Sequence, residues 1–236
     1  MSHVSLHCGD CLEIVPTLDI QIDAVLTDPP WGVNLDAAYR DRFTRKLAPG
    51  KLNPGNYSTG AHRRIHGDDK PFDPAPWLGY RKVILWGYQH FAQRLPPGTI
   101  LIWQKKLDRE LGTFLSDGEL AWKKGGSSLY IFEHRWNGFL RASERGQKTL
   151  HPTQKPIALM RWCIERLKLP EGATILDPYM GSGPVGVAAV QMGYNYIGIE
   201  IVPEYHEIAA ARIDVALHEP QQMELGIAEI RDTGER

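Results

Sequence analysis

At 236 residues with 42% hydrophobic content, the chain is long enough to bury one α/β domain spanning 1–236. No run approaches the ~18 consecutive apolar residues of a membrane span, and no basic stretch followed by an apolar one opens the sequence, so a cytoplasmic protein without a membrane partner is expected. Three cysteines are too few for a disulfide framework. The net charge of −1 hides a segregation: residues 36–70 carry eight Lys/Arg against four Asp/Glu and residues 78–155 carry thirteen against six, whereas residues 200–236 carry three against nine. A polyanion facing the basic middle of the chain fits that pattern, with ordinary solvated faces as the alternative.

In chain order, His7-Cys-Gly-Asp-Cys11 comes first; it has the spacing of half a zinc site, but no second Cys-x-x-Cys or His-x-x-x-His pair follows to complete four ligands, so no metal is expected. Asp23-Ala-Val-Leu-Thr27 then reads as a buried strand running into Asp28-Pro-Pro-Trp31. Two successive prolines remove two backbone donors, fix two φ angles and extend the residues before them, so this segment is a rigid platform at a strand end. It presents the Asp28 carboxylate, the Pro29 carbonyl and the Trp31 ring in a fixed relation. Residues 34–76, rich in Gly, Pro, Asn, Arg and His, show no sustained period and are expected to form a mobile basic loop.

Lys82-Val-Ile-Leu-Trp86 and Thr99-Ile-Leu-Ile-Trp103 are strand-length apolar runs with a polar helical segment between them. Helical spacing of apolar residues predicts a helix over 157–167. A short strand, Ala173-Thr-Ile-Leu176, leads to the glycine loop Asp177-Pro-Tyr-Met-Gly-Ser-Gly183, a small-residue helix from Pro184 to Met192, a second strand from Tyr194 to Ile199, and a helix from Pro203 to about His218. Pro184 suits a first helical turn and Gly193 the position just past a helix end. This βαβα run implies parallel strands, and the alternation along the chain implies a doubly wound α/β sheet.

Gly181-Ser-Gly183-Pro-Val-Gly186 matches G-x-G-x-x-G, with Glu200 at the end of the next strand. Glycines let backbone approach a ligand, a helix N-terminus offers free N–H groups, and an acid at the second strand end can hold ribose hydroxyls, so an adenosine-containing cofactor is indicated. A dehydrogenase reading is the weaker one, since this unit lies after residue 170, downstream of the Pro-Pro platform.

Asp28-Pro-Pro-Trp31 followed much later by Asp177-Pro-Tyr-Met-Gly-Ser-Gly183 resembles the S-adenosylmethionine-dependent DNA amino methyltransferases in the permuted order of the β group. His7-Cys-Gly-Asp10, His151-Pro-Thr-Gln-Lys-Pro156 and Ile197-Gly-Ile-Glu200 through Tyr205 and Arg212 extend the likeness. It implies a single, mostly parallel seven-stranded sheet of the Rossmann-like class I type, with S-adenosyl-L-methionine as cofactor and double-stranded DNA as partner. The resemblance assigns catalysis to Asp28, Pro29, Pro30 and Trp31. It assigns cofactor binding to Asp10, Cys11, Thr153, Lys155, Asp177, Tyr179, Gly181, Ser182, Gly183 and Glu200, with Thr153 and Lys155 near the methionine carboxylate.

An exocyclic amino group is a poor nucleophile because its lone pair is delocalised, and two fixed acceptors, Asp28 and the Pro29 carbonyl, would bind both its hydrogens and aim that lone pair at the sulfonium methyl. Trp31 would stack on the flipped base. Asp at position 28, where cytosine-N4 enzymes more often carry Ser, favours adenine N6; cytosine N4 remains open, as does amino methylation of RNA or protein, or a DNA-binding module that kept only the fold. The target-recognition segment is short, 133–150, with Arg135, Asn137, Arg141, Arg145 and Lys148 for DNA, joined by Arg40, Arg42, Arg63 and Arg64 of the basic loop. A homodimer and a separate cognate restriction enzyme are further possibilities.

Overall fold

The structure, a computed structural model, describes residues 2–34, 65–112, 116–136, 141–144 and 154–218. Seven strands form one sheet: β1 (Val4–Cys8), β2 (Ala24–Thr27), β3 (Lys82–Trp86), β4 (Gly98–Gln104), β5 (Gly118–Glu133), β6 (Thr174–Asp177) and β7 (Asn195–Glu200), in the order β1-β7-β6-β2-β3-β5-β4. β1, β7, β6, β2 and β3 pair in parallel, and β5 runs antiparallel to β3. The helices are α1 (Cys11–Ile14), α2 (Tyr88–Phe91), α3 (Ile157–Leu167), α4 (Pro184–Gln191) and α5 (Pro203–His218). The doubly wound, mostly parallel seven-stranded sheet expected from the sequence is the one observed.

β2 and β6 are buried at every position, which is why they read as unbroken apolar runs: both faces of the sheet are covered. Alternation then sorts their side chains. Ala24, Leu26, Ile84 and Trp86 face one core with Leu159, Cys163 and Ala188 from α3 and α4, while Val25, Val83 and Leu85 face the other with Phe72, Trp77 and Phe91. On the first side α4 approaches the sheet closely, because a Cβ at Gly186 would lie 2.7 Å from the Tyr196 ring and 2.5 Å from Ile213.

β5 departs from the simple strand pattern. Its first part pairs with β4 from Gly98↔Lys124 down to Gln104↔Gly118, and its last part pairs with β4 again from Ile100↔Leu129 up to Gln104↔Glu133. The chain therefore doubles back at Gly125 and Gly126, both at positive φ (80° and 71°), and encloses β4. Residues 65–76, included in the expected mobile loop, are folded into the body: Phe72 packs edge-to-face on Phe91 with centroids 4.9 Å apart, and Asp68 is buried. The remainder of that loop, 35–64, lies outside the described residues.

The strand order reverses between β6 and β2. From β6 the chain crosses through α4 to β7, while β2 leads outward to β3 on the other side. The crevice beyond the carboxyl ends of two such strands is where doubly wound sheets bind ligands. Thr27 with Asp28, and Asp177 with its glycine loop, occupy those two ends.

Candidate active site

The two motifs meet through one hydrogen bond. Thr27 Oγ1 at the end of β2 donates to Asp177 Oδ1 at the end of β6, 2.6 Å away, and both residues are buried. Asp177 also accepts from Tyr196 Oη at 3.3 Å and from the Tyr179 N–H at 3.4 Å. Burial outweighs these three donors and, with the Asp28 charge nearby, pushes Asp177 up to about 7.

The platform itself is clamped from three sides. Asp68 accepts the N–H groups of Gly32 (2.8 Å) and Val33 (3.2 Å), and its own carbonyl accepts from the Asn34 N–H at 2.8 Å. Trp31 lies against Gly87, which has φ 87°; a Cβ there would fall 2.1 Å from the indole Nε1. His90, on the first turns after Gly87, stacks on Trp31 with centroids 4.8 Å apart and planes 16° from parallel. Asp68, Gly87 and His90 had no mark in the sequence as site residues.

Asp28 is the most unusual group in the crevice. Lys155 Nζ contacts its Oδ2, and its Oδ1 is buried with no hydrogen-bond partner among the described residues. A buried acceptor without a donor is costly, and one at a strand end in a ligand crevice indicates where a donor from outside would dock. Burial raises Asp28 above the ordinary carboxylate range; Lys155 opposes that rise and Glu119 adds to it. Glu119, on β5, lies 3.2 Å from Lys155 Nζ through Oε2 and is paired with Lys105 through Oε1. Burial alone would raise Glu119, but the two ammonium groups outweigh it and hold it down at about 2.

Beside this cluster the glycine loop is built to receive a ligand. Gly181 (φ 55°) and Gly183 (φ 76°) adopt left-handed backbone, and Gly183 caps α4, whose first turn leaves N–H groups without an intrahelical partner. Glu200 accepts the Gly181 N–H at 2.8 Å and the Val202 N–H at 2.9 Å, tying the loop to the end of β7. Arg212 of α5 donates to the Ser182 carbonyl and, at 3.0 Å, to Ser182 Oγ. Asp10 caps α1 by accepting the Leu12 N–H at 2.8 Å. The buried Cys11 thiol, raised to about 11 by burial, is hydrogen-bonded with Tyr179. Phe72 and Trp77 stand edge-on to Tyr179 at 5.8 and 5.9 Å, making an aromatic wall.

Asp10, Cys11, Asp177, Tyr179, Gly181, Ser182, Gly183 and Glu200 thus gather at the carboxyl ends of β1, β6 and β7. Lys155 does not join them. Its ammonium lies on Asp28 and Glu119, on the β2–β5 side of the crevice. Arg135 is paired with Glu110, and Arg141 stacks over Trp136 at 4.6 Å. Thr153, Asn137, Arg145, Lys148, Arg40, Arg42, Arg63 and Arg64 lie outside the described residues.

Residues 121–211 match the sequence model of the N6/N4 DNA methylase family. The matched segment is similar to a DNA methylase domain. It starts on β5 two residues after Glu119 and ends in α5, so it contains Lys155, the glycine loop and Glu200. DNA adenine methyltransferase YhdJ of Escherichia coli (strain K12) is 43% identical over 64% of this chain and 58% of its own length. YubD of the same organism is 28% identical over 91% of this chain and 92% of its own. Among solved structures, the M1.HpyAVI–SAM complex shares the fold at a TM-score of 0.52, with 21% identity over 89% of this chain and 99% of that one. No helix among the described residues is long and apolar enough to cross a membrane.

Proposed function

We propose that the chain transfers a methyl group from S-adenosyl-L-methionine to the N6 amino group of adenine in duplex DNA, in the cytoplasm, on a base flipped out of the helix. The observation that carries this reading is Asp28 Oδ1, buried without a hydrogen-bond partner among the described residues, at the start of the Pro-Pro platform and next in sequence to Thr27, which is hydrogen-bonded to the glycine-loop strand. An amino group has two hydrogens to give, and the platform offers two acceptors on adjacent residues, the Asp28 carboxylate and the Pro29 carbonyl.

The residues present fit the cofactor. Left-handed glycines leave the loop backbone open, the N-terminus of α4 supplies N–H groups, Glu200 stands at the second strand end, and Phe72, Trp77 and Tyr179 offer an apolar wall for a purine. The cofactor supplies an electrophilic sulfonium methyl when bound. Asp28 and the Pro29 carbonyl accept the two amino hydrogens and direct the lone pair of the target nitrogen; the prolines make that geometry independent of the substrate, so little reorganisation accompanies the reaction. Trp31, held from behind by Gly87, presents an aromatic face to a base removed from its stack. Asp28 is also the carboxylate that can take up the proton the nitrogen sheds.

Arg135 and Arg141, with Arg40, Arg42, Arg63, Arg64, Arg145 and Lys148, form the set we assign to DNA phosphates, with Asn137 for base contact. Adenine is favoured by Asp at position 28 and by the name of YhdJ. The test is direct: incubate the protein with unmethylated DNA and the cofactor, digest to nucleosides, and measure modified bases by mass spectrometry. N6-methyladenine supports the proposal, N4-methylcytosine transfers the same chemistry to the other base, and no modified base refutes the reading.

A further inference from the structure

Lys155 is 3% exposed, and it enters the crevice from the residues just ahead of α3 to end between carboxylates on two strands. Trp31 and Trp86 lie beside its ammonium at 5.3 and 5.5 Å from their ring centres. Glu119 in turn is held by Lys105. Asp28, Lys155, Glu119 and Lys105 therefore form a chain of alternating charge that sums to zero. A buried ion pair is a poor way to stabilise a fold, because desolvation offsets the attraction and apolar groups of the same volume do as well. A chain of four that ends on an acceptor carboxylate points to orientation instead.

We infer that Lys155, braced by Glu119, is a positioning residue for methyl transfer: it clamps Asp28 Oδ2 and so leaves Oδ1 as the oxygen that meets the target amino group. The inference rests on the reading of the site as an amino methyltransferase. Two consequences distinguish it from a purely structural ion pair. First, the clamp keeps Asp28 ionised in a place where burial disfavours the charge; protonated on Oδ1, it would present a donor to a donor. Second, Glu119 acts on Asp28 in two opposed ways, anchoring the Lys155 ammonium and repelling the Asp28 charge. Among the described residues, the charged and titratable groups facing this pair are Glu119 from β5, Lys105 just after β4, Asp177 from β6 and Cys163 from α3, with His90 on the far face of Trp31.

The experiment uses the full chain labelled with ¹³C at aspartate carboxyls, the Asp28 resonance being assigned by its loss in Asp28→Ala. Its titration midpoint is followed by NMR in the wild type, Lys155→Met and Glu119→Gln. Losing the ammonium should move the midpoint up by about 1 pH unit or more. Losing the neighbouring negative charge should move it down. Single-turnover methylation at neutral pH should fall about tenfold or more in Lys155→Met and recover on the alkaline side, following the displaced midpoint. Cofactor affinity should stay within about threefold, as expected when a residue acts on the transfer step alone.

An unmoved midpoint in Lys155→Met together with a large loss of cofactor affinity would assign Lys155 to the cofactor and overturn the inference. Equal shifts in the same direction in both variants would also overturn it. Should Lys155→Met fail to fold, Lys155→Gln takes its place, with the same upward shift expected and an unmoved midpoint overturning the inference. The titration needs no methyl transfer, so a wild type that modifies no DNA refutes the proposed function and leaves the electrostatic result to be read separately.

Discussion

Replacing Asp177 by Asn tests whether a buried acid really joins the two motifs. Asp177 is 1% exposed, and its carboxylate is surrounded by three donors that are not charged. With an ordinary value of 3.8 raised to about 7 by burial, the folded protein holds this proton more tightly than the unfolded chain does. The sign follows: the proton's contribution to stability is complete below pH ~3.8 and disappears as pH rises through about 7. Each pH unit in that window is worth ~1.4 kcal/mol, so between pH 5 and pH 8 about 2–3 kcal/mol of stability is lost through this one group. Asn has the same shape. Its Oδ1 can keep the Thr27 hydroxyl and the Tyr179 N–H, and its amide can donate to Tyr196 Oη once that hydroxyl rotates, so the variant should fold and lack the pH-dependent loss. Urea unfolding of both proteins at pH 5 and pH 8 gives the double difference. If wild type and Asp177→Asn lose the same stability over that interval, to within about 0.5 kcal/mol, Asp177 is ionised throughout and the reasoning fails.

Three further outcomes follow from the geometry. Gly87→Ala puts a Cβ at 2.1 Å from the Trp31 indole and a side chain at φ 87°, so we expect about 1–3 kcal/mol of destabilisation by thermal unfolding and a loss of kcat larger than any change in cofactor affinity; normal turnover would show that Trp31 need not stand where it does. Glu200→Ala removes the acceptor of the Gly181 and Val202 N–H groups and should weaken cofactor binding by about 1–3 kcal/mol in calorimetry, an unchanged dissociation constant counting against the loop's role. Gly198→Ala brings a Cβ to 2.4 Å from Met180 Sδ and 2.7 Å from the Tyr196 ring; overpacking of about 1–3 kcal/mol should appear in denaturation, and a neutral result would mean that β7 does not lie as close to the loop as described.

The elements that could be read from the residues are the ones whose signals are local. β6, its glycine loop, α4 and β7 follow one another within about thirty residues, and each boundary carries its own marker, Pro184 at a first helical turn and Gly193 just past the end. The Pro-Pro platform is legible for the same reason, because proline acts on its own backbone and its neighbour's. What escaped reading comes from pairing at a distance. Glu119 sits in an otherwise ordinary strand and reaches the Lys155 ammonium on Asp28 only because β5 folds beside β3, and His90 meets Trp31 only because β3 lies beside β2. Lys155 illustrates the limit: nothing in its sequence neighbourhood marks the two distant carboxylates that its ammonium meets. Phe72 and Asp68 belong to a stretch without periodicity, yet a buried ring and an acceptor for two backbone N–H groups hold it to the body.

The central claim is that Asp28 serves the target amino group and not the cofactor, and Asp28→Ala separates the two. Cofactor affinity is measured by calorimetry on the variant, and methyl transfer to unmethylated DNA is measured in a single turnover with cofactor saturating. The account predicts a transfer rate reduced by about 10²–10³-fold or more, the effect of removing one preorganised electrostatic partner, with a cofactor dissociation constant within a few-fold of wild type. A variant that loses cofactor affinity in proportion to its activity, and transfers methyl at the wild-type rate once the cofactor is bound, would contradict it.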